Sequence, residues 1–316
     1  MDKEAEDAAS ARPARFMHLW DMAYPLLTIV ALLWAGNALV GRAARDLIPP
    51  FTLAFGRWSG ALLLMMPFAW PRLRADWPVI RQHWKATLLL GLIGIGAFNA
   101  LLYSGLQYTT ATNGLLIQAL IPPLILLLAF LFFRERTDLV RIGAALVSVI
   151  GVGVIVLHGD LAALGALTLG RGDALVLFGV AAWAVYTVLL RRRPAVHPLS
   201  FLAVTFLIGT LAMLPLSAME HFAGRTIHWG TGTILAFAYV ATLPSLVAYL
   251  LYNRGVELIG PARAGQFLNL MPLFGAGLAV LLLGESLGGH HLLGVALILA
   301  GIAGFSRGGK GAQNRR

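Results

Sequence analysis

The chain has 316 residues, 59% of them hydrophobic and 12% charged, with a mean hydropathy of +0.79 and a formal net charge of +10. A soluble domain carries about 25% charged residues, so this chain cannot cover a soluble surface and reads as a polytopic, all-α membrane protein. It has no cysteine, which excludes a disulfide framework, a thiolate metal site and thiol catalysis.

The opening "MDKEAEDAASARPARFMHLWD" is polar and acidic. It lacks the apolar core of a signal peptide and reads as a cytoplasmic tail over residues 1–21. Ten apolar blocks follow: Met22–Ala44, Phe51–Trp70, Ala86–Tyr108, Asn113–Phe133, Val140–Leu157, Ala174–Leu190, Leu199–Met219, Gly232–Tyr252, Ala264–Leu283 and Leu292–Phe305. Most approach the roughly 20 residues that span a bilayer core. Backbone groups in lipid must bond within their own segment, so the blocks are helices. Residues 307–316 form a second, basic tail.

Charge placement tests this count. With both termini in the cytoplasm, 19 of the 24 Lys and Arg fall in cytoplasmic segments, four on the opposite side, and Arg57 inside a span. One missed span would invert every later loop, so the asymmetry supports ten crossings and an N-in, C-in orientation. It also accounts for the net charge without nucleic acid.

The two halves repeat. "LWAGNALVGRAARDLIPPFTLAF" matches "AWAVYTVLLRRRPAVHPLSFLAV", with Trp34 and Trp183 149 positions apart. Pro122 matches Pro272 and Glu135 matches Glu285, each 150 apart. The units are 22–157 and 172–306. Five helices is an odd number, so the second copy enters the membrane from the opposite side. The expected fold is ten helices as two inverted five-helix repeats around a central cavity, an arrangement that transporters use to alternate access.

Each unit ends in a proline, an apolar helix, then "FFRERTD" or "LLGESLG", then a glycine-rich helix. Together with "LLWAGNALVGR" and "LAFGRWSGALLLMMPF", this closely resembles the EamA repeat of the drug/metabolite transporter superfamily. The resemblance covers about Pro25 to Phe305. It is most similar to the YddG-type exporters of aromatic and other amino acids, and implies a central path lined by the first, third, fourth, sixth, eighth and ninth helices. The second copy departs from the pattern at Arg57, whose matching position is Phe206.

Polar and aromatic side chains within the spans are the candidates for substrate binding: Trp34, Asn37, Asn99, Tyr103, Gln118, Trp183, Tyr186, Tyr249, Gln266 and Asn269. They concentrate in the six helices named above. Each also has a plain packing reading, since small polar groups bond across membrane helices. Asn37 and Tyr186 occupy matching positions, 149 apart, and are expected to face each other across the axis. Pro122, Pro123 and Pro272 remove backbone donors and form a gate or a static kink. Arg57 either attracts a substrate carboxylate or, the favoured reading, caps carbonyls of a neighbouring helix. Glu135 and Glu285 are expected to pair with arginines or helix ends.

None of the 14 acidic residues lies in the middle of a block, and the eight histidines lie in tails, loops or helix ends. No cofactor, metal or catalytic site is expected, nor an ion-coupling residue. The expected function is an inner-membrane exporter of neutral or aromatic amino acids and related metabolites, working as a monomer in the lipid bilayer. The alternatives are a multidrug or metabolite efflux carrier, or a channel or other multi-span protein without a transport role.

Overall fold

The computed structural model describes residues 19–109, 111–160, 162–165, 170–283 and 288–307. Most of both tails and Glu285 lie outside the described residues. Among the described residues there is no strand, and nine helices are long and apolar enough to cross a bilayer. Eight of these are α1 (Ala23–Ala43), α2 (Pro50–Gln82), α3 (Trp84–Leu106), α5 (Leu139–Val156), α6 (Arg171–Leu189), α7 (Pro198–Phe222), α8 (Thr231–Ile259) and α10 (Gly289–Arg307). The ninth, α4, comes in two pieces, Ala111–Gln118 and Ile121–Phe133. A tenth segment, α9, is broken as well. It runs Pro261–Gln266, a 3-10 turn over Phe267–Asn269, then Leu270–Leu283.

The apolar block ending at Trp70 understates α2, which continues to Gln82 through Pro71 and Pro78. The end of an apolar run is not the end of a helix. Arg72, Arg74 and Asp76 carry the coil beyond the hydrocarbon, and no glycine interrupts it.

The breaks in α4 and α9 both fall where a proline removes a helical donor. Proline has no N–H to give the carbonyl four residues back. Pro122 and Pro123 leave the carbonyls of Gln118 and Ala119 without that donor, and α4 is interrupted between Gln118 and Ile121. Pro272 does the same to Leu268, inside the 3-10 turn of α9. Discontinuous helices at matching places in two halves are a transporter feature.

Matching helices of the two halves cross antiparallel, which shows the inversion directly. On α5 and α10, a Cβ on Gly151 would sit 2.8 Å from the Gly294 carbonyl, and one on Gly301 would sit 2.6 Å from the Ala144 carbonyl. Adding 150 to Gly151 and Ala144 yields Gly301 and Gly294, so the two contacts are symmetry mates. Between them the Ser148 hydroxyl donates to the Ile298 carbonyl at 3.3 Å, again across 150 positions. Backbones approach this closely only where side chains are small. The α2–α7 pair runs the same way, with Thr52 at Ser217 and Trp58 on Phe206.

Each half also carries one π-helical turn, Leu92–Ala97 in α3 and Thr242–Val247 in α8. Their bounds differ by 150 at both ends. Such turns concentrate at functional sites.

Candidate functional site

A π turn skips a carbonyl, and here the skipped carbonyls organise the middle of the molecule. In α8 the Ala248 N–H reaches back to Leu243, which leaves the Pro244 carbonyl free of its helical donor. The Trp34 indole donates to it at 2.8 Å, and Arg57 Nη2 at 3.2 Å. Pro244 in turn cannot donate to Val240, and the Ser245 hydroxyl does so instead at 2.6 Å. Arg57 Nε donates to that hydroxyl at 2.5 Å. In α3 the Phe98 N–H reaches back to Ile93, leaving Gly94. The Tyr249 hydroxyl donates to the Gly94 carbonyl at 3.2 Å. Each half thus supplies a carbonyl that a side chain of the other half occupies.

Around these bonds the aromatic residues form one packed group. Trp34 and Trp183 meet edge to face, centroids 5.3 Å apart. Tyr249 lies 5.7 Å from the first and 5.6 Å from the second, and Tyr252 lies 5.3 and 5.4 Å from them. Trp58 and Phe206 extend the group outward against Tyr249. The edge-to-face contacts are favoured over sandwich stacking, so the pairs hold a defined geometry. The hydroxyls are used: Tyr186 donates to Asn253 at 3.0 Å, and Thr187 and Tyr252 share a bond of 3.0 Å. Of the residues singled out in the sequence, Trp34, Trp183, Tyr186 and Tyr249 are brought together here.

The remaining candidates lie to either side. Asn99 is buried and its amide donates to Ile95 in its own helix. Gln118 is half-buried and donates to Gly114. Tyr103 and Asn37 are half-buried, and Asn37 makes no side-chain hydrogen bond among the described residues. Asn37 stands one turn beyond Trp34, while the Tyr186 hydroxyl turns to Asn253. On α9, Gln266 and Asn269 are each 1% exposed. Among the described residues neither the amide N nor the O of Gln266 has a partner, nor does Asn269 Nδ2. A buried polar group left unpaired costs about 1–3 kcal/mol, so two neighbouring amides on a broken helix mark a strained place.

The face carrying Arg191 to Arg193 is sealed. Tyr252, Val256, Ala264, Phe267 and Ile125 are buried beneath it. Above them ion pairs tie helix ends together: Arg191 grips both carboxylate oxygens of Glu135, Arg193 meets Glu257 at 2.8 Å, and Arg254 meets Asp21 at 2.6 Å and Glu257 at 3.3 Å. A recess of about 10 Å³ beside Asn253 has room for one water at most.

Two carboxylates are buried among the described residues, both at helix ends on the opposite face. Asp173 accepts from Thr109, from Asn113 at 3.0 Å and from the Gly170 N–H at 2.7 Å. Glu220 accepts from the Thr52 N–H at 2.8 Å and its hydroxyl at 2.9 Å, capping α2. No group of three or more metal-binding side chains occurs among the described residues.

Sequence reasoning missed Pro244, Asn253 and both π turns. Pro244 was visible as the one proline inside the "AYVATLPSLVAYLLY" run; the register of a bulge has no hydropathy signal.

Comparison with known proteins agrees with this architecture. The model of the EamA-like transporter family matches residues 21–157 and again 170–307. The uncharacterized transporter YyaM of Bacillus subtilis is 27% identical over 249 residues, covering 78% of this chain and 80% of its own. A protein of Salmonella typhimurium named as a probable amino-acid metabolite efflux pump is 27% identical over 293 residues, covering 88% and 92%. A solved crystal structure superposes with a TM-score of 0.72 at 22% identity, over 89% of this chain and 95% of that one.

Proposed function

Since the chain belongs to the EamA-like transporter family and is therefore an integral membrane transporter and not an enzyme, we propose that it exports neutral or aromatic amino acids and related metabolites by alternating access. The observation that carries this reading is the Trp34–Trp183 contact, one indole from each half, packed together with Tyr249 and Tyr252. An aromatic, amide-rich and nearly uncharged path suits a zwitterion with an apolar side chain. A phosphorylated substrate would call for several Lys or Arg in the path. The name of the Salmonella relative points the same way.

In this proposal Trp34, Asn37, Asn99, Tyr103, Trp183, Tyr186 and Tyr249 meet the substrate, with Gln118, Gln266 and Asn269 along the path. Pro122, Pro123 and Pro272 supply the hinges, and Arg57 holds the α8 bulge in place. The units of movement are 22–157 and 172–306. Both termini are cytoplasmic, so the sealed basic face makes this an outward-facing or closed state. With both buried carboxylates used as helix caps, substrate runs down its own gradient or exchanges.

Counterflow of labelled phenylalanine and tryptophan into proteoliposomes tests the proposal. Saturable exchange is expected. Flux that never saturates points to a channel, exchange of drug cations alone moves the substrate class, and no exchange across a broad amino-acid panel ends the proposal.

A further inference from the structure

On the basic face a cleft of about 290 Å³ opens between α3, α4 and α6, lined by Ala86, Leu89, Leu90, Phe132, Phe133 and Leu189, with Arg192 at its rim. That is close to the lower end of the volumes that hold small ligands. It opens sideways, since Leu89 is 45% and Phe132 50% exposed. Those side chains belong to membrane-crossing helices, so the mouth of the cleft meets lipid. The lining lies within two turns of the helix ends, the depth at which hydrocarbon gives way to headgroups.

The rim is cationic and unneutralised. Arg191 is taken by Glu135 and Arg193 by Glu257. Arg192 has no carboxylate within ion-pair distance among the described residues, nor has Lys85, which is next to the lining residue Ala86 in α3 and holds its ammonium over the Trp84 ring, 5.8 Å from the centroid. The guanidinium of Arg192 stands over the Phe133 ring, 5.4 Å from its centroid, which holds it at the mouth. Trp84, 54% exposed, is the kind of interfacial ring that anchors a helix at headgroup level.

The repeat supplies a control. The positions matching Lys85 and Arg192 in the other half are Leu235 and Ala43. The two cations therefore do not come with the fold; only the groove on the basic face has them.

We propose that this cleft binds an anionic phospholipid, its phosphate held by Arg192 and Lys85 and its acyl chain laid on Leu89, Leu90 and Phe132. The lipid bridges α3, α4 and α6 beside the Arg191–Glu135 pair and so supports the sealed arrangement of that face.

The test is native mass spectrometry of the purified full-length protein given equal amounts of phosphatidylglycerol and phosphatidylcholine. At about 1 kcal/mol per basic residue, two cations give roughly a thirtyfold preference for the anionic lipid. The Lys85→Gln/Arg192→Gln variant is expected to lose that preference, and Arg192→Lys to keep most of it. Leu89→Trp fills the groove with both cations intact and is expected to lose the lipid too, so the outcome does not depend on one variant folding. Equal retention of both lipids, a preference that survives the double substitution, or displacement of the lipid by millimolar inorganic phosphate would overturn the proposal.

Discussion

The indole of Trp34 donates to the carbonyl of Pro244, 2.8 Å away and in the other half of the molecule. That carbonyl is available only because α8 carries a π turn. Trp183, the repeat mate of Trp34, reaches no carbonyl among the described residues, its indole N–H lying beside the Tyr252 hydroxyl without a well-formed bond; the matching carbonyl, Gly94, is held by Tyr249. The two halves therefore share a plan and differ in which donor occupies it.

This asymmetry separates two otherwise similar substitutions. Trp34→Phe and Trp183→Phe remove the same volume, but only the first deletes a buried hydrogen bond to a carbonyl, leaving Pro244 with Arg57 as its remaining donor. Trp34→Phe should cost about 1 kcal/mol more than Trp183→Phe, read from thermal melts in detergent, and both should lower exchange in counterflow. Equal melting points would mean that the Pro244 bond contributes nothing to stability.

Gly94 packs face-on to Tyr186. A Cβ there would lie 2.2 Å from Tyr186 Cδ2. Gly94→Ala should destabilise the protein by about 1–3 kcal/mol through overpacking. Adding Tyr186→Leu should recover part of that loss, whereas Tyr186→Phe, which keeps the ring, should not. A double-mutant cycle on the melting free energy checks the coupling.

Gln266 predicts an opposite pairing of stability and function. Its amide is buried with neither polar atom bonded. Gln266→Leu relieves that penalty and should raise stability by about 1 kcal/mol while slowing exchange. A variant that is less stable would show that the amide is satisfied by solvent in the sealed state.

Orientation can be read cleanly because the chain has no cysteine. Gln82 and Trp229 are exposed at opposite faces. In intact cells Trp229→Cys should react with a membrane-impermeant maleimide, and Gln82→Cys only after permeabilisation. The reverse pattern would place the basic face outside.

His197, in the segment between α6 and α7, should confer a mild acid sensitivity. Burial, then the nearby Arg72, lower its proton affinity below the ordinary histidine value, and Asp76 opposes them only in part. Its Nδ1 also accepts from the Leu199 N–H at 3.2 Å, which requires that nitrogen unprotonated. Below about pH 6.5 the unfolded chain binds this proton more readily than the folded one. Stability then falls as pH drops through that window. His197→Asn retains an acceptor without the titration and should flatten the melting curve between pH 6.5 and 5.

Much of this architecture was legible because the bilayer is a stringent solvent. Apolar length located the helices. The match of Pro122 to Pro272 pointed to both broken helices. The expectation for Glu135 also has its counterpart in the Arg191 pair, and Arg57 does bond to a carbonyl of a neighbouring helix. What stayed hidden depends on register. Hydropathy cannot tell a π turn from an α turn, so Pro244 read as one more apolar position. Nor does it say that Tyr186 would bond Asn253, because that choice is made by the rotation of α6 against α8. The extension of α2 beyond Trp70 escaped for a third reason: helix propensity continues where apolar character stops.

The paired π turns also bear on ancestry. An i→i+5 turn accommodates an extra residue in a helix, and both halves hold theirs at the same register, 150 positions apart. The insertion therefore belongs to the unit that was copied, and is older than the differences between Arg57 and Phe206 or Arg192 and Ala43. An ancestor of five crossings could have built this shape only by pairing with a twin threaded the other way.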